Sequence, residues 1–297
     1  SVGDNILAGA VAGAVGLMNN RLIADGGVLT LAGSLDIAGT AGSQFVTFGG
    51  VNAKGNGNYA LTGVLTGTGS LNKESGGTLL LRAADATGFS GVIRASGGTI
   101  RVEDVAVLGA RASGGTGGVL DFNGGAVELR LDAPGFGSTR NVYHRGSSTA
   151  SSFFADQAVG GYGVINGVVG FGQFAFEENL SFVFGGRNGF GYAFTSAPVQ
   201  GGTNNSTITS NAPGTVVFNG NTWSNTDNGA ARTMTINGAG NVTLAGNLVA
   251  SSSSFDHNLT KAGASLLRIV IFVRAEPALK KMAVTAFKIE NFKSHDP

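Results

Sequence analysis

The chain of 297 residues has no cysteine, five prolines and one tryptophan, and only 12% of its residues are charged. Without cysteine there are no disulfides, no zinc–thiolate sites and no thiol catalysis. So little proline, with no Gly-X-Y period, excludes a collagen-like helix. Charge is about half the usual ~25%, and the net value of +1 provides no whole-chain basic field for nucleic acid. The apolar run Ile6–Met18 falls short of the ~18–20 residues that a membrane helix needs. It has the length of a signal-peptide core but no basic segment before it, and reads as a strand and a turn. Disorder of the common kind is disfavoured as well, since 42% of the residues are hydrophobic.

What is abundant is glycine, 51 residues of it. Glycine at this density would cost a helical bundle roughly 0.5–1 kcal/mol per helical position. A Gly-punctuated β protein remains. Aligned on Gly-Gly pairs, a repeat emerges. Gly76-Gly77 precedes Thr78–Arg82, Gly97-Gly98 precedes Thr99–Glu103, and Gly117-Gly118 precedes Val119–Asn123. Related units begin at Gly26, Gly214 and Gly240. In each, the second and fourth residues after glycine are apolar, and alternation along a strand turns both inward. The expected core is therefore Leu29, Leu31, Leu79, Leu81, Ile100, Val102, Leu120, Phe122, Val216, Phe218, Val242 and Leu244. The central units recur at a step of about 20 residues, which signals a solenoid. Such a step is too short for a strand and a crossover helix, so the chain is expected to be all-β, a coil of stacked strands. An antiparallel sandwich is the weaker alternative.

Composition changes abruptly near residue 260. The first 259 residues hold 50 glycines and a net charge of −3; the last 38 hold one glycine, Gly263, and a net charge of +4. The expected organisation is a β-helical repeat region over 1–264, irregular and aromatic-rich over 133–213, followed by a basic non-repeat tail over 265–297. The tail reads as a strand over Leu266–Val273 and a helix from Glu276-Pro277.

The stretch Gly76-Gly77-Thr78-Leu79-Leu80-Leu81, then Thr87-Gly88-Phe89-Ser90-Gly91, then Gly97-Gly98-Thr99-Ile100-Arg101-Val102 resembles the autotransporter-associated β-strand repeat. Asn20–Gly33 and Asn237–Ala264 are similar to pieces of such arrays, so the resemblance covers about 20–132 and 214–264. It implies a right-handed parallel β-helix, a passenger region of an exported bacterial protein, displayed outside the cell or on its surface. Two departures stand out. Lys261-Ala262-Gly263-Ala264 leads into the basic tail instead of another repeat strand, so the tail reads as a cap on the last rung or a foreign C-terminus. No barrel-forming series of alternating ~10-residue segments follows, so neither a signal nor an anchor in the outer membrane is expected within this chain.

Chemistry is faint. With Gly-Gly units taken as successive rungs, Arg82 faces Glu103 and Arg101 faces Asp121, which reads as cross-rung ion ladders. Glu177-Glu178 and Glu103-Asp104 point to opposite faces of a strand and make poor catalytic pairs. His144, His257 and His295 share no ligand spacing. No catalytic residue, cofactor or metal is expected. Nine of the 19 phenylalanines fall within Phe153–Phe194. Their period-two spacing reads first as interior stacking; the sharper expectation is an exposed interaction patch of Phe171, Phe174, Phe176, Phe182 and Phe184. The sequence therefore points to a structural or adhesive stalk whose partners are surface glycans or other copies of itself. A β-helical polysaccharide lyase or hydrolase and a self-assembling fibre subunit are the alternatives.

Overall fold

The computed structural model describes residues 4–13, 20–39, 45–50, 56–108, 119–132, 135–144, 150–158, 166–176, 180–195, 199–200, 205–219, 222–225, 232–245, 247–250 and 257–270. Over these residues the chain runs in short strands of two to six residues, with no α-helix and one 3-10 turn at Val105–Leu108. The strands form four sheets of eleven, ten, six and three strands, and the pairings within them are parallel. The chain visits three sides in a fixed order. From Thr78–Leu81 in the eleven-stranded sheet it passes isolated bridges at Asp85 and Phe89, enters the ten-stranded sheet at Ile93–Ala95, and returns at Thr99–Val102. The third side is three-stranded early in the chain and six-stranded from Gly135–Gly137 onward; Val105–Leu108 occupies the intervening place in chain order. This is a β-solenoid.

Glycine makes the corners. In the pairs that open the Val28–Leu31, Thr78–Leu81 and Thr99–Val102 strands, the second glycine is left-handed, with φ of 67° at Gly27, 74° at Gly77 and 58° at Gly98. A side chain there would be strained, and at Gly98 a Cβ would also stand 2.5 Å from the carbonyl oxygens of Ser75 and Gly77 on the rung before. Asx side chains clamp the rungs at their starts. Asp4, Asn58, Asn205 and Asn241 accept hydrogen bonds from the backbone N–H groups of Val28, Thr78, Thr233 and Leu266 respectively, each on the next rung.

Between corners, alternation decides what is buried. Leu79, Ile100, Val127, Phe153 and Phe184 stack in one register column, and Leu81, Val102, Leu129 and Ala155 in the next. All of them are buried. Leu31, Leu120, Phe122, Val216, Phe218, Val242 and Leu244 are buried as well, whereas Leu29 is half-buried because the rung before it, Asn5–Leu7, is itself exposed.

Two readings of the sequence require correction. The first concerns which strands stack. Val119–Phe122 belongs to the ten-stranded sheet, between Ile93–Ala95 and Asn141–His144. The strand stacked on Thr99–Val102 is Ala126–Arg130, which follows its own pair, Gly124-Gly125. The step between register neighbours is also uneven: Leu79 follows its partner Tyr59 much sooner than Phe184 follows Phe153. Similar Gly-Gly units thus mark different sides of the coil rather than one side at a constant step. The second concerns the boundary at 264. His257–Lys261 extends the eleven-stranded sheet and Leu267–Val270 pairs with Val242–Ala245 in the six-stranded one, so the coil continues past the loss of glycine. Apolar alternation is enough for this: Leu267 and Ile269 pack against the core. The helix expected from Glu276 lies outside the described residues.

Gly98→Ala is expected to lower stability by about 2 kcal/mol or more, from left-handed strain and displaced carbonyls. The check is the urea midpoint of the variant; an unchanged midpoint would contradict this account of the corner.

Candidate functional site

The outer face of the eleven-stranded sheet carries the richest set of polar side chains. Register places Leu80, Arg101, Glu128, Phe154 and Gly185 in one outward column. Arg130 and Asp156 are register partners two residues further along their strands, on the same outward face. Arg82 pairs with Glu103, as the ladder reading expects. The pair expected between Arg101 and Asp121 does not form. Arg101 Nε donates to Glu128 Oε2 at 2.6 Å, and Asp121 pairs with Arg94 at 2.7 Å on the ten-stranded sheet. The cause lies in the stacking order of the strands: Asp121 and Arg101 stand on different sides of the coil.

From Arg101 a continuous network crosses four rungs. Arg130 donates to Glu128 Oε1 from Nε at 2.8 Å and to Asp156 Oδ2 from Nη1 at 2.8 Å. Asp156 Oδ1 accepts from the Gln157 N–H at 2.9 Å and from Asn188 Nδ2 at 2.6 Å. All four oxygens of the two carboxylates are therefore occupied. A general acid or base must offer a carboxylate oxygen to substrate, and here each is already held by an arginine, an amide or a backbone N–H. The arrangement suits cohesion between rungs. The sequence reading misses it because it starts no rung at Gly124-Gly125; Glu128 and Arg130, two residues apart in a strand, signal a shared face.

Beside this network lies an aromatic that points outward. Phe154 is half-buried, in register with Glu128 before it and Gly185 after it. The exposed Arg187 places its guanidinium carbon 6.0 Å from the centre of the Phe154 ring. The other phenylalanines correct the patch expectation. Phe171, Phe174, Phe182 and Phe184 are at most 2% exposed and form an interior stack, not a surface. Phe171 stacks on Phe153 at 5.1 Å, and Phe174 meets Phe182 edge-to-face at 5.1 Å. Each occupies an inward phase of its strand, where burial of a large apolar ring is most favourable. The side chains of Phe176 and Trp223 lie outside the described residues, as do residues 177–179.

Among the described residues, three basic side chains are buried in the interior. Lys73 donates to the carbonyl oxygens of Glu74, Ser75 and Gly76 at 2.5, 3.0 and 2.6 Å, closing a corner, and burial pulls its pKa down to about 8. Arg140 donates from Nη1 to Gly91 O at 2.8 Å above the Phe89 ring, and burial lowers its pKa to about 9. His144 follows Phe122 in an inward column and meets Phe182 at 5.6 Å, with no hydrogen-bond partner for either ring nitrogen among the described residues. Burial lowers its pKa to about 4. Among the described residues, no group of three or more His, Cys, Asp or Glu side chains is placed to hold a metal.

Comparison with family models, with curated proteins and with solved structures returns no match.

Arg130→Met leaves Glu128 and Asp156 short of their shared cation and is expected to destabilise the coil by about 2–3 kcal/mol, read from chemical denaturation. For His144, the folded pKa lies below the ordinary value of 6.5, so the fold favours the neutral ring. Its contribution is intact above pH 6.5 and is lost as pH falls from 6.5 through about 4, amounting to roughly 3 kcal/mol at the acid end. His144→Phe is expected to flatten the fall of the unfolding midpoint between pH 7 and 4; an identical slope in the variant would assign acid sensitivity to other groups.

Proposed function

We propose that this chain is a structural and adhesive passenger segment of an exported bacterial surface protein, a stiff β-helical stalk that presents its outer columns and loops to partners. The observation that carries this reading is continuity of stacking. Eleven strands of one sheet lie in parallel register, with aromatic and aliphatic columns beneath them and charge ladders above. In a solenoid each rung is stabilised by its immediate neighbours, so stiffness extends along the whole stack. At ~4.8 Å per strand, eleven strands give a sheet roughly 50 Å long. The Gly-Gly-Thr-Leu-Leu-Leu pattern and its resemblance to autotransporter-associated repeats support placement outside the cell or on its surface. Saturation of both carboxylates in the Glu128–Asp156 network supports a binding role over hydrolysis or lyase chemistry.

Small-angle scattering of the full chain is expected to show an elongated particle. Incubation with pectate, alginate and hyaluronan is expected to leave polymer length unchanged. Release of shortened chains, or of unsaturated ends absorbing in the ultraviolet, would overturn the reading in favour of a carbohydrate-active enzyme.

A further inference from the structure

The geometry points to a docking surface for an acidic polysaccharide on the outer face of the eleven-stranded sheet, centred on Phe154 and Arg187. The inference rests on the stalk reading and adds the class of its partner.

Phe154 is the half-buried member of an aromatic segment in which Phe153, Phe171, Phe174, Phe182, Phe184, Phe190 and Phe194 are all buried. The next rung carries no side chain where the ring lies. A Cβ on Gly185 would stand 3.0 Å from Phe154 Cδ2, so the ring lies where a side chain of that rung would otherwise project. Arg187 holds its guanidinium carbon over one side of the ring, 6.0 Å from its centre, and its backbone is fixed at a corner. Its N–H donates to Ala155 O at 2.9 Å, and its carbonyl accepts from the Phe190 N–H at 3.1 Å. Asn188, left-handed at φ 53°, ties the same corner to Asp156.

The charge around this platform is asymmetric. Arg82, Arg101 and Arg130 on the same face each hold a carboxylate. Arg187 is exposed and has no ion pair among the described residues. Glu128 and Asp156 are paired with Arg101 and Arg130, so among these side chains the guanidinium of Arg187 is the one left outside the ion pairs. A guanidinium offers paired N–H donors that match a carboxylate. An aromatic face accommodates the C–H face of a pyranose ring. A uronic acid unit presents both groups together.

The sheet itself argues against an extended peptide. Ser151–Asp156 and Ser181–Gly186 are interior strands of the eleven-stranded sheet, paired on both sides. Their backbone groups are consumed by the ladder, and strand addition needs a free edge. A polymer of rings that binds by stacking and by charge needs none.

The test is titration calorimetry of the full chain with polygalacturonate and with neutral dextran, at low and high salt. Polygalacturonate is expected to bind, more weakly as salt screens the attraction, and dextran is expected not to bind. Phe154→Ala and Arg187→Gln are each expected to weaken binding about tenfold or more. Gly185→Val keeps both groups but crowds the ring, and is expected to weaken binding too. Arg82→Gln, on the same sheet but away from the platform, is expected to leave binding unchanged. Unfolding midpoints near wild type certify that the variants are folded. The inference is overturned by absence of polygalacturonate binding, by equal binding of dextran, or by affinity that survives both Phe154→Ala and Arg187→Gln. Shortening of the polymer in the same samples would instead overturn the stalk reading, while the variant series would still decide the surface.

Discussion

Parallel register is the constraint on which the rest of this molecule depends. Each strand lies directly on its counterpart in the preceding rung, so an inward side chain meets the same column position one strand spacing away. A column can therefore pass from Leu79 and Ile100 through Val127 to Phe153 and Phe184, provided that each member packs on the next. The interior of the later rungs accordingly becomes a continuous aromatic stack, with Phe194 against Phe218 at 5.1 Å and Phe174 within 5.2 Å of Phe194. Polar intruders are tolerated only on particular terms. Lys73 is accommodated because three backbone carbonyls of one corner converge on its ammonium group, satisfying all of its donors. His144 has no such partners and is held as a neutral ring among phenylalanines.

The same register organises the exterior. Residues that are remote in sequence become neighbours across a strand spacing, so a charge on one rung is answered on the next. Individually, exposed pairs of this kind contribute little. Linked through Arg130, they close a network whose carboxylates have no oxygen left over. A surface neutralised in this way is suited to recognition by the few groups that stand outside its pairs. On this face those groups are a ring lying across a glycine and an arginine with no ion pair among the described residues.

Much of the local structure was legible in the sequence. The second glycine of a pair followed by alternating Thr-Leu or Thr-Ile marks a left-handed corner and the strand that leaves it, as at Gly77 and Gly98. The parity of Leu79 and Leu81, or of Phe182 and Phe184, assigns those side chains to one face of their strands, and that face is the interior. Less legible was the partner of each strand. Val119–Phe122 and Ala126–Arg130 both follow Gly-Gly, yet one belongs to the ten-stranded sheet and the other to the eleven-stranded sheet. Choosing the first as the neighbour of Thr99–Val102 misplaces Asp121 opposite Arg101 and hides Glu128. The drop in glycine after residue 259 likewise looks like an end, although apolar alternation carries the coil on to Val270.

Local residue order is enough to place the strands of the central repeats, the side chains that share a face and the glycine corners. These are properties of a few consecutive residues, set by the period of two and by the backbone freedom of glycine. Only the folded coil settles which strand stacks on which, and with it the Arg101–Glu128–Arg130–Asp156 network, the interior ring contacts and the Phe154–Arg187 platform. The physical reason is that register depends on the length of chain spent between successive visits to a sheet. That length is short from Tyr59 to Leu79 and half as long again from Phe153 to Phe184. It is set by how each corner and loop closes against the rung beneath, an interaction between distant residues that no local pattern contains.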